Sequence, residues 1–305
     1  MIVCCGEALI DMVATPDPSG RISYRPCPGG AALNCAVALG RLGCDAALLT
    51  GLSTDFFGDQ IRAHLQHSHV SWHLSKTSDN PTPLAFAKID HGQAEYAFFN
   101  ENSALGRLEA VPALPREATA LVFGGISLVG GSCADLFERM MLNNNLTGLR
   151  VLDPNIRPAL IRREAQYRTR LARMSVFSDV IKVSEDDLHW LNPDQTPTEH
   201  VEGFLAEGAK IVLLTQGLKG ATAYSGQTSM HAPAPAVNLA KSDTIGAGDT
   251  FLAGFLSHLA RVGSLGSMIL PDIATLQDAL FFAVKAASLS VSRKGADPPW
   301  ASEMT

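Results

Sequence analysis

Clusters of positive charge and long apolar runs are both missing from this sequence. Lys and Arg total 24 against 30 Asp and Glu in 305 residues, and no run of basic residues exceeds two. Nucleic acids and anionic membranes are bound through clustered cations, so we expect neither as a partner. No apolar run reaches about 18 residues, and Glu7 and Asp11 interrupt the N-terminal apolar stretch, which argues against a signal peptide. We therefore expect a cytoplasmic protein.

Metal-binding patterns of cysteine and histidine are absent as well. The six cysteines include no C-x-x-C pair, and five of them lie in the first 44 residues. We interpret them as reduced thiols that pack as small apolar groups. The histidines of HLQHSHVSWH (His64, His67, His69 and His73) have no Cys or acidic residue at ligand spacing. This stretch is predicted to be a solvated helix end and loop.

Several catalytic motifs do not occur. A P-loop, G-x-x-x-x-G-K-[ST], is missing, and so is the H-R-D and D-F-G pair of protein kinases, which excludes both classes. No G-x-G-x-x-G follows the first strand, which argues against a nicotinamide dehydrogenase. No G-x-S-x-G is present to support a hydrolase.

Short apolar runs alternate with helix-patterned segments along the chain, and 46% apolar residues can build a large core at this length. The candidate strands are residues 2–10, 46–52, 120–126, 150–154, 179–184 and 211–217. The candidate helices are residues 32–43, 133–144, 199–209, 274–293 and a segment opened by DTIGAGDTF. This alternation predicts a doubly wound α/β fold, in which helices cover both faces of a mostly parallel sheet. Sites in such folds lie at the carboxyl ends of the strands.

One region departs from this alternation. Residues 71–100 have the pattern of a β-hairpin with its turn at 90–92. Together with the Gly-, Pro- and Ser-rich residues 14–30, the hairpin could form a small sheet that projects from the main domain. The pattern is compatible with a decorative insertion and with a lid over a site.

The stretch DTIGAGDTF, residues 243–251, joins a glycine loop to a helix start. The glycines leave backbone N–H groups free to converge on an anion, and the helix N-terminus adds partial positive charge. Asp249 in the first helical turn has two interpretations. It could only stabilise the helix dipole, or it could accept a proton from a hydroxyl that attacks a phosphoryl group.

Two motifs together resemble the ribokinase-like (PfkB) family of carbohydrate kinases. DTIGAGDTF resembles the C-terminal signature of that family, and PGGAALNCAVALGRLG (28–43) resembles its N-terminal glycine signature. Lesser matches are GEALID (6–11), TPLAF (82–86), DPNIRP (153–158), KVSEDD (182–187), LLTQGLKGA (213–221) and SVSRKGA (290–296). The resemblance implies one ribokinase-like domain over residues 1–305, with a β-sheet lid formed by roughly 12–28 and 71–103.

The resemblance also implies roles for individual residues. Asp249 would be the catalytic base, and the backbone amides of Gly246, Ala247 and Gly248 would bind the γ-phosphate. The implied sugar-binding residues are Asp11, Gly29, Gly30, Asn34, Asn100 and Arg157. The implied nucleotide-binding residues are Ser184, Thr215, Gly217, Gly220, Val284 and Ala287. Taken singly, Asp11 also fits a strand-end turn and Asn34 a polar residue in a first helical turn.

Metal ions enter through the same resemblance, with Mg²⁺ accompanying ATP and K⁺ as an activator. The Asn-x-x-Glu motif of the family appears here as Ser184 to Asp187, so Asp187 would act on Mg²⁺ through water. Asp243 and the carbonyl of Ile245 match positions that hold K⁺. Two further departures affect ligand contacts: Val284 stands where many members have Asn, and Asn100 stands where related fructokinases often have Arg.

The resemblance is strongest to fructokinases, which implies ATP-dependent conversion of D-fructose to fructose 6-phosphate. The alternatives are a 2-keto-3-deoxygluconate kinase or another PfkB sugar or nucleoside kinase, and a non-catalytic regulator that binds a sugar or nucleotide. An exposed apolar face on the lid would allow two chains to form a homodimer through it.

Overall fold

The main sheet carries most of the regular structure in the computed structural model, which describes residues 1–16, 19, 21–90, 93–110, 112–145, 148–237, 243–265 and 271–304. In spatial order its strands are β15 (Thr228–Ala232), β14 (Ala221–Ser225), β13 (Ile211–Thr215), β12 (Val180–Ser184), β11 (Leu149–Asp153), β10 (Ala120–Gly124), β1 (Ile2–Cys5), β4 (Ala46–Leu49) and β6 (Val70–Ser71). The strands from β13 to β6 pair in parallel, and β14 and β15 extend the sheet in antiparallel pairing.

Helices cover both faces of this sheet. They are α1 (Ala31–Arg41), α2 (Phe56–His67), α3 (Ser132–Met141), α4 (Glu164–Val176), α5 (Glu185–Leu191), α6 (Pro197–Glu207), α7 (Ala247–Arg261) and α8 (Ile273–Val291). Alternate residues of β1 enter opposite cores: Ile2 packs with α1, α7 and α8, whereas Val3 packs with α3, α4 and α6. The predicted doubly wound α/β fold is therefore confirmed.

A separate four-stranded sheet, here called the small sheet, stands beside the main one. Its order is β3 (Ile22–Gly29), β2 (Leu9–Pro16), β8 (Leu84–Asp90) and β9 (Gln93–Phe99). The β8–β9 pair is the predicted hairpin, and residues 91 and 92 of its predicted turn lie outside the described residues. The first part of the predicted lid range 71–103 belongs elsewhere: Ser71 pairs with β4, and β7 (Lys76–Ser78) pairs with β5 (Gly51–Ser53).

The prediction of one strand over residues 2–10 was wrong. The chain leaves the main sheet after Cys5, turns through Gly6 to Ala8, and enters the small sheet at Leu9. Both strands are buried at this junction, so apolar character continues across the turn. Asp11 consequently lies inside β2 and does not end a strand of the main sheet.

The cysteines and the histidine-rich stretch lie in the structure as follows. All six cysteines are free, and Cys4, Cys5, Cys35 and Cys133 are buried. The predicted histidine stretch contains the end of α2, and the rings of His67 and His69 contact Trp300. In the described residues, no helix is both long enough and apolar enough to span a membrane.

Candidate active site

The carboxyl ends of β12 and β13 open into a cleft of about 720 Å³ that also contacts the start of α7 and the second half of α8. Its charged lining residues are Arg157, Lys182, Glu185, Asp186, Asp187 and Asp249. Its apolar lining residues include Leu218, Ala234, Pro235, Val237, Val284 and Val291. The charged lining residues come mainly from β12 and the starts of α5 and α7, whereas the lining from α8 is mostly apolar.

Asp249 lies in the first turn of α7 and is only 6% exposed. Its Oδ2 accepts a hydrogen bond from Asn34 Nδ2 at 2.9 Å, and its Oδ1 accepts one from Asn155 Nδ2 at 3.2 Å. Burial raises the pKa of Asp249, while the hydrogen bond from Asn34 and the charges of Lys182 and Arg157 lower it. The two amides fix the carboxylate in one orientation at the wall of the cleft, where it could accept a proton.

The glycine loop before Asp249 adopts the backbone geometry of an anion site. Gly246 has φ +73°, a backbone conformation that glycine adopts readily. A Cβ at this position would also lie 2.7 Å from the Cβ of Ala296, so both the backbone conformation and the available space disfavour a larger residue. The N–H of Ala247 donates to the carbonyl of Thr244 at 3.2 Å. Among the described residues, the N–H groups of Gly246, Gly248 and Asp249 have no acceptor. The amides of Gly246 and Gly248 are therefore available for an anion, whereas that of Ala247 is engaged.

Glu7 is a buried carboxylate that joins three segments of the chain. Its Oε1 accepts the N–H of Ala31 at 2.9 Å, and its Oε2 accepts the N–H of Ser127 at 3.1 Å. Helix α1 begins at Ala31 after Gly30, which provides no side-chain cap, so Glu7 caps this helix from outside it. Since α1 carries Asn34, Glu7 helps to position the Asn34 side chain that donates to Asp249.

Asp11 faces the same region from the small sheet. A Cβ on Gly29 would lie 2.0 Å from Asp11 Oδ2, so the glycine makes room for this carboxylate. Gly29 itself ends β3 and pairs with Leu9, and the turn follows at Gly30. Burial raises the pKa of Asp11 to about 6, with further contributions from the charges of Asp249 and Glu7.

A buried ion pair joins the last residue of β11 to the middle of the adjacent strand β12. Lys182 Nζ is 3.1 Å from Asp153 Oδ2, and the two side chains are 5% and 7% exposed. Burial raises the pKa of Asp153 to about 6, against the lowering effect of Lys182. Burial lowers the pKa of Lys182, but the carboxylates of Asp153, Asp187 and Asp249 more than offset this and leave it raised. Lys182 therefore stays protonated at neutral pH beside the Asp153 carboxyl group.

Comparison with protein families decides the class to which this site belongs. A family model described as pfkB family carbohydrate kinase matches residues 1–303. The chain belongs to the pfkB family of carbohydrate kinases. It is accordingly a phosphotransferase of that family, as the two glycine-containing motifs predicted.

Known relatives of this pfkB kinase include fructokinases from several bacteria. A fructokinase of Rhizobium leguminosarum bv. trifolii is 38% identical over 262 residues, which cover 85% of this chain and 79% of the relative. The structure of a Xylella fastidiosa fructokinase with bound ATP has a TM-score of 0.87 and 25% identity, covering 99% of this chain and 96% of that one. A Vibrio cholerae O395 fructokinase, bound to fructose, ADP and calcium ion, has a TM-score of 0.83 and 26% identity, covering 97% of this chain and 94% of that one.

The residues predicted to bind nucleotide all line the cleft of this kinase. They are Ser184, Thr215, Gly217, Gly220, Val284 and Ala287. Gly217 and Gly220 have φ of +55° and +102°, which glycine adopts readily, in the turn after β13. Their contact with a nucleotide remains a prediction.

Asp187 also lines the cleft, but its carboxylate has local partners. Its Oδ1 accepts the N–H of Ile156 at 2.7 Å, and its Oδ2 accepts the N–H of Ser184 at 2.9 Å and its hydroxyl at 2.6 Å. The bond from the Ser184 N–H, together with the Asp187 N–H that donates to Ser184 Oγ, forms the capping box at the start of α5. With both oxygens engaged, Asp187 is better suited to a metal's water than to the metal itself.

The loop predicted to hold K⁺ is bound to the segment after α8. Asp243 Oδ1 accepts the N–H of Ile245 at 3.1 Å, and Oδ2 accepts the N–H of Gly295 at 2.9 Å. The backbone N–H of Asp243 donates to the carbonyl of Val291 at 2.9 Å. Asp243 therefore orders the start of the glycine loop through its own contacts.

Two predicted sugar-binding residues have local contacts of a different kind. The Asn100 Oδ1 accepts the hydroxyl of Ser103 just after β9, and Asn100 does not line the described cleft. Arg157 lines the cleft, is exposed, and donates to the carbonyl of Ile156 at 3.0 Å. Their roles in sugar binding also remain predictions.

Four residues of this site were not predicted from the sequence. Glu7, Asp153, Asn155 and Lys182 all lie within motifs that carried the family resemblance. The sequence signal that could have identified them is a charged residue inside or directly after an apolar strand, as in VIKVS and VLDP. Because an unpaired charge is rarely buried in a core, such a residue indicates a charged partner or a functional site. Asn155, with φ +44°, is the kind of residue that tolerates this backbone region.

Proposed function

We propose that this kinase transfers the γ-phosphoryl group of ATP to the C6 hydroxyl of D-fructose, giving fructose 6-phosphate and ADP. The observation that carries the proposal is the buried carboxylate of Asp249 beside the free N–H groups of Gly246 and Gly248, at the wall of one cleft. The names of the relatives support fructose as the acceptor.

The reaction needs a base, an anion site and in-line geometry. The sugar hydroxyl oxygen forms a bond to the γ-phosphorus as the bond to the β–γ bridging oxygen breaks, and the hydroxyl proton passes to Asp249. Because the transition state is loose and the proton leaves late, the carboxylate needs no strongly raised pKa. The amides of Gly246 and Gly248 would stabilise the phosphoryl oxygens without reorganisation.

Magnesium would accompany ATP in this scheme, neutralising charge on the phosphate oxygens. Among the described residues no three acidic or histidine side chains group as direct metal ligands, so the acidic residues Glu185, Asp186 and Asp187 that line the cleft fit a Mg²⁺ that keeps its water ligands. Asp187, whose oxygens already accept three hydrogen bonds, would act through a metal-bound water.

The sugar would lie between the small sheet and Asp249, with the small sheet as a lid. Asp11 offers carboxylate acceptors, and Asn34 offers an amide that is already shared with Asp249. The backbone at Gly29 and Gly30, together with Asn100 and Arg157, would complete the pocket. The six free cysteines fit a reducing compartment, so we assign the enzyme to the cytoplasm.

Sugar affinity should decrease on acidification because Asp11 has a pKa of about 6. Below that pH the carboxylate takes up a proton and loses acceptor capacity, so the dissociation constant for fructose should rise by about tenfold per pH unit. Calorimetric titrations between pH 5 and pH 8 would measure this. In Asp11→Asn, fructose binding should be weak and nearly independent of pH. If this variant showed the same pH dependence of fructose binding as the native enzyme, Asp11 would not bind the sugar.

Potassium should raise the activity several-fold over a bulky organic cation at equal ionic strength. The Asp243 carboxylate and the Ile245 carbonyl are hard oxygen donors beside the glycine loop, so a cation there would order the loop amides and offset phosphate charge. Initial rates in potassium chloride and in tetramethylammonium chloride would test this. Equal rates in the two salts would contradict potassium activation.

The small sheet should mediate a homodimer. Its exposed side carries Ile22, Tyr24 and Phe99, which are 58%, 40% and 61% exposed, and Phe86 makes edge-to-face contacts with both aromatic rings. Such an apolar face favours association with a second copy. Sedimentation velocity should show a dimer for the native chain and a monomer for Tyr24→Glu/Phe99→Glu. The matched substitution Ile273→Glu, at an exposed site on α8, should leave the dimer intact.

A panel of acceptors would test the proposed reaction directly. ATP consumption should be measured with fructose, 2-keto-3-deoxygluconate, ribose, a nucleoside and no acceptor. The highest kcat/KM is expected for fructose. A higher value for another acceptor would replace fructose and retain the kinase chemistry, and no consumption with any acceptor would favour a non-catalytic regulator.

A further inference from the structure

Lys182 occupies an unusual position for a lysine. It lies on a central strand of the main sheet, is 4% exposed, and is the one buried lysine among the described residues. A lysine ammonium is strongly hydrated, so burial is costly unless the charge is paired or used. Asp153 pairs with it from the neighbouring strand, but Lys182 also lines the cleft, which Asp153 does not.

The ammonium of Lys182 lies directly beside the glycine loop. A Cβ on Gly248 would be 2.9 Å from Lys182 Nζ, so the missing side chain of Gly248 leaves space that the ammonium borders. The same glycine has a free N–H within the described residues. The ammonium of Lys182 on β12 and the N–H of Gly248 in the glycine loop are therefore two hydrogen-bond donors that lie close together at the wall of the cleft.

The charge balance of the cleft requires a cation at this depth. Four carboxylates line it, from Glu185, Asp186, Asp187 and Asp249, and its lining cations are Arg157 and Lys182. Arg157 also lowers the pKa of Asp249, but it is exposed and donates to its neighbouring carbonyl, so solvent screens its charge more than that of the buried Lys182. A transferring phosphoryl group beside Asp249 would be repelled by these acids unless a buried cation faced it.

We propose that Lys182 is a catalytic residue, whose ammonium donates a hydrogen bond to an oxygen of the phosphoryl group during transfer, and that Asp153 holds it in position. An ammonium has three N–H donors, and Asp153 accepts through two oxygens at 3.1 and 3.2 Å, which leaves donor capacity for a ligand. No proton moves to or from Lys182 in this role. The inference rests on the proposed kinase function.

The competing explanation is that Lys182 only compensates the buried charge of Asp153. Lys182→Met alone does not distinguish the two, because it leaves Asp153 buried and unpaired and could prevent folding. Asp153→Asn/Lys182→Met removes both charges together. If Lys182 only neutralises Asp153, this double variant should fold and keep its activity. If Lys182 acts on the phosphoryl group, it should fold but lose activity.

A control ion pair is available at the other end of β12. Asp179 and Lys210 form an ion pair at 2.8 Å, directly before β12 and β13, at the amino ends of these strands and away from the cleft at their carboxyl ends. Asp179→Asn/Lys210→Met therefore removes the same two charge types from β12 and its neighbour, far from the glycine loop. Its kcat and KM values should stay within about threefold of the native enzyme.

The experiment compares the two double variants in kcat, in KM for ATP and fructose, and in melting temperature. For Asp153→Asn/Lys182→Met we expect kcat to fall by about 10² to 10³, as for the loss of one oxyanion donor, with KM for fructose nearly unchanged. A kcat within about threefold of native would overturn the proposal. If that variant does not fold, Lys182→Gln, which keeps a donor toward Asp153, is judged by the same criterion.

Binding of ADP with aluminium fluoride separates this proposal from the proposed function, because it requires no turnover. The native protein should bind ADP more tightly when aluminium fluoride is present, and Asp153→Asn/Lys182→Met should lose most of this gain while binding ADP alone normally. A native enzyme that consumes ATP with none of the acceptors would contradict the proposed function. A full aluminium fluoride gain in the double variant would contradict the role of Lys182 alone.

Discussion

Asp249→Asn should lower kcat by about 10² to 10⁴ while ATP binding stays near normal. The substitution keeps the size of the side chain and its position in the first turn of α7, but it removes the proton acceptor from the wall of the cleft. It also presents an amide N–H₂ toward Asn34 or Asn155, which now donate to the carboxylate. Steady-state rates with fructose and calorimetric titration with ATP would measure the two effects.

The control for this loss is Asp278→Asn, which changes an exposed acid on α8 and should leave both quantities unchanged. Native turnover in Asp249→Asn would reduce Asp249 to the stabilisation of a helix start. Because the helix-charge effect is worth only about 0.3 to 1 kcal/mol, that outcome would be accompanied by a small loss of thermal stability.

Glu7→Gln should lower the free energy of unfolding by about 2 to 4 kcal/mol. The carboxylate now accepts the N–H groups of Ala31 and Ser127 in a buried site, and an amide can accept only one of them. Its N–H₂ group would face the other N–H, which leaves donors without acceptors. Urea denaturation of native and variant protein would measure the difference.

The same substitution should weaken sugar binding, because Glu7 caps the helix that carries Asn34. The control is Glu202→Gln on the exposed surface of α6, where we expect a change within about 0.5 kcal/mol. Equal stability of Glu7→Gln and Glu202→Gln would show that Glu7 does not cap α1 in solution.

The fold was predictable because two periodic signals agreed. Buried parallel strands form short apolar runs, and the covering helices follow with their own spacing, so β10, β11, β12 and β13 lie within a few residues of their predicted bounds. Periodicity failed at residues 2–10, because both halves of the run are buried and only the turn at Gly6 separates two sheets. It also gave no signal for the antiparallel strands β14 and β15.

The site was predictable only where a motif is continuous in the chain. The glycine loop and Asp249 are neighbours in sequence, so spacing alone indicated an anion site at a helix start, and the family resemblance implied the role of Asp249 as a base. Lys182 and Asp153 are separated by a helix, and each is unremarkable until strand pairing brings their side chains within 3.1 Å. Asp187 was predicted to act on Mg²⁺ through water, which stays a prediction, and only the tertiary structure brings the Ile156 N–H to its carboxylate.

The sequence by itself determined the fold class, the family and the glycine loop that precedes Asp249, because local spacing and motifs encode helix starts, turns and buried strands. Tertiary structure alone decided that Asn34 holds Asp249 from 215 residues away, that Glu7 caps α1, and that Asp11 reaches the site from the small sheet. Contacts of this kind depend on the order of strands in the sheet and on the packing of helices across it. The distances between these side chains depend on how the whole core packs, so they cannot be predicted from a local pattern of residue types.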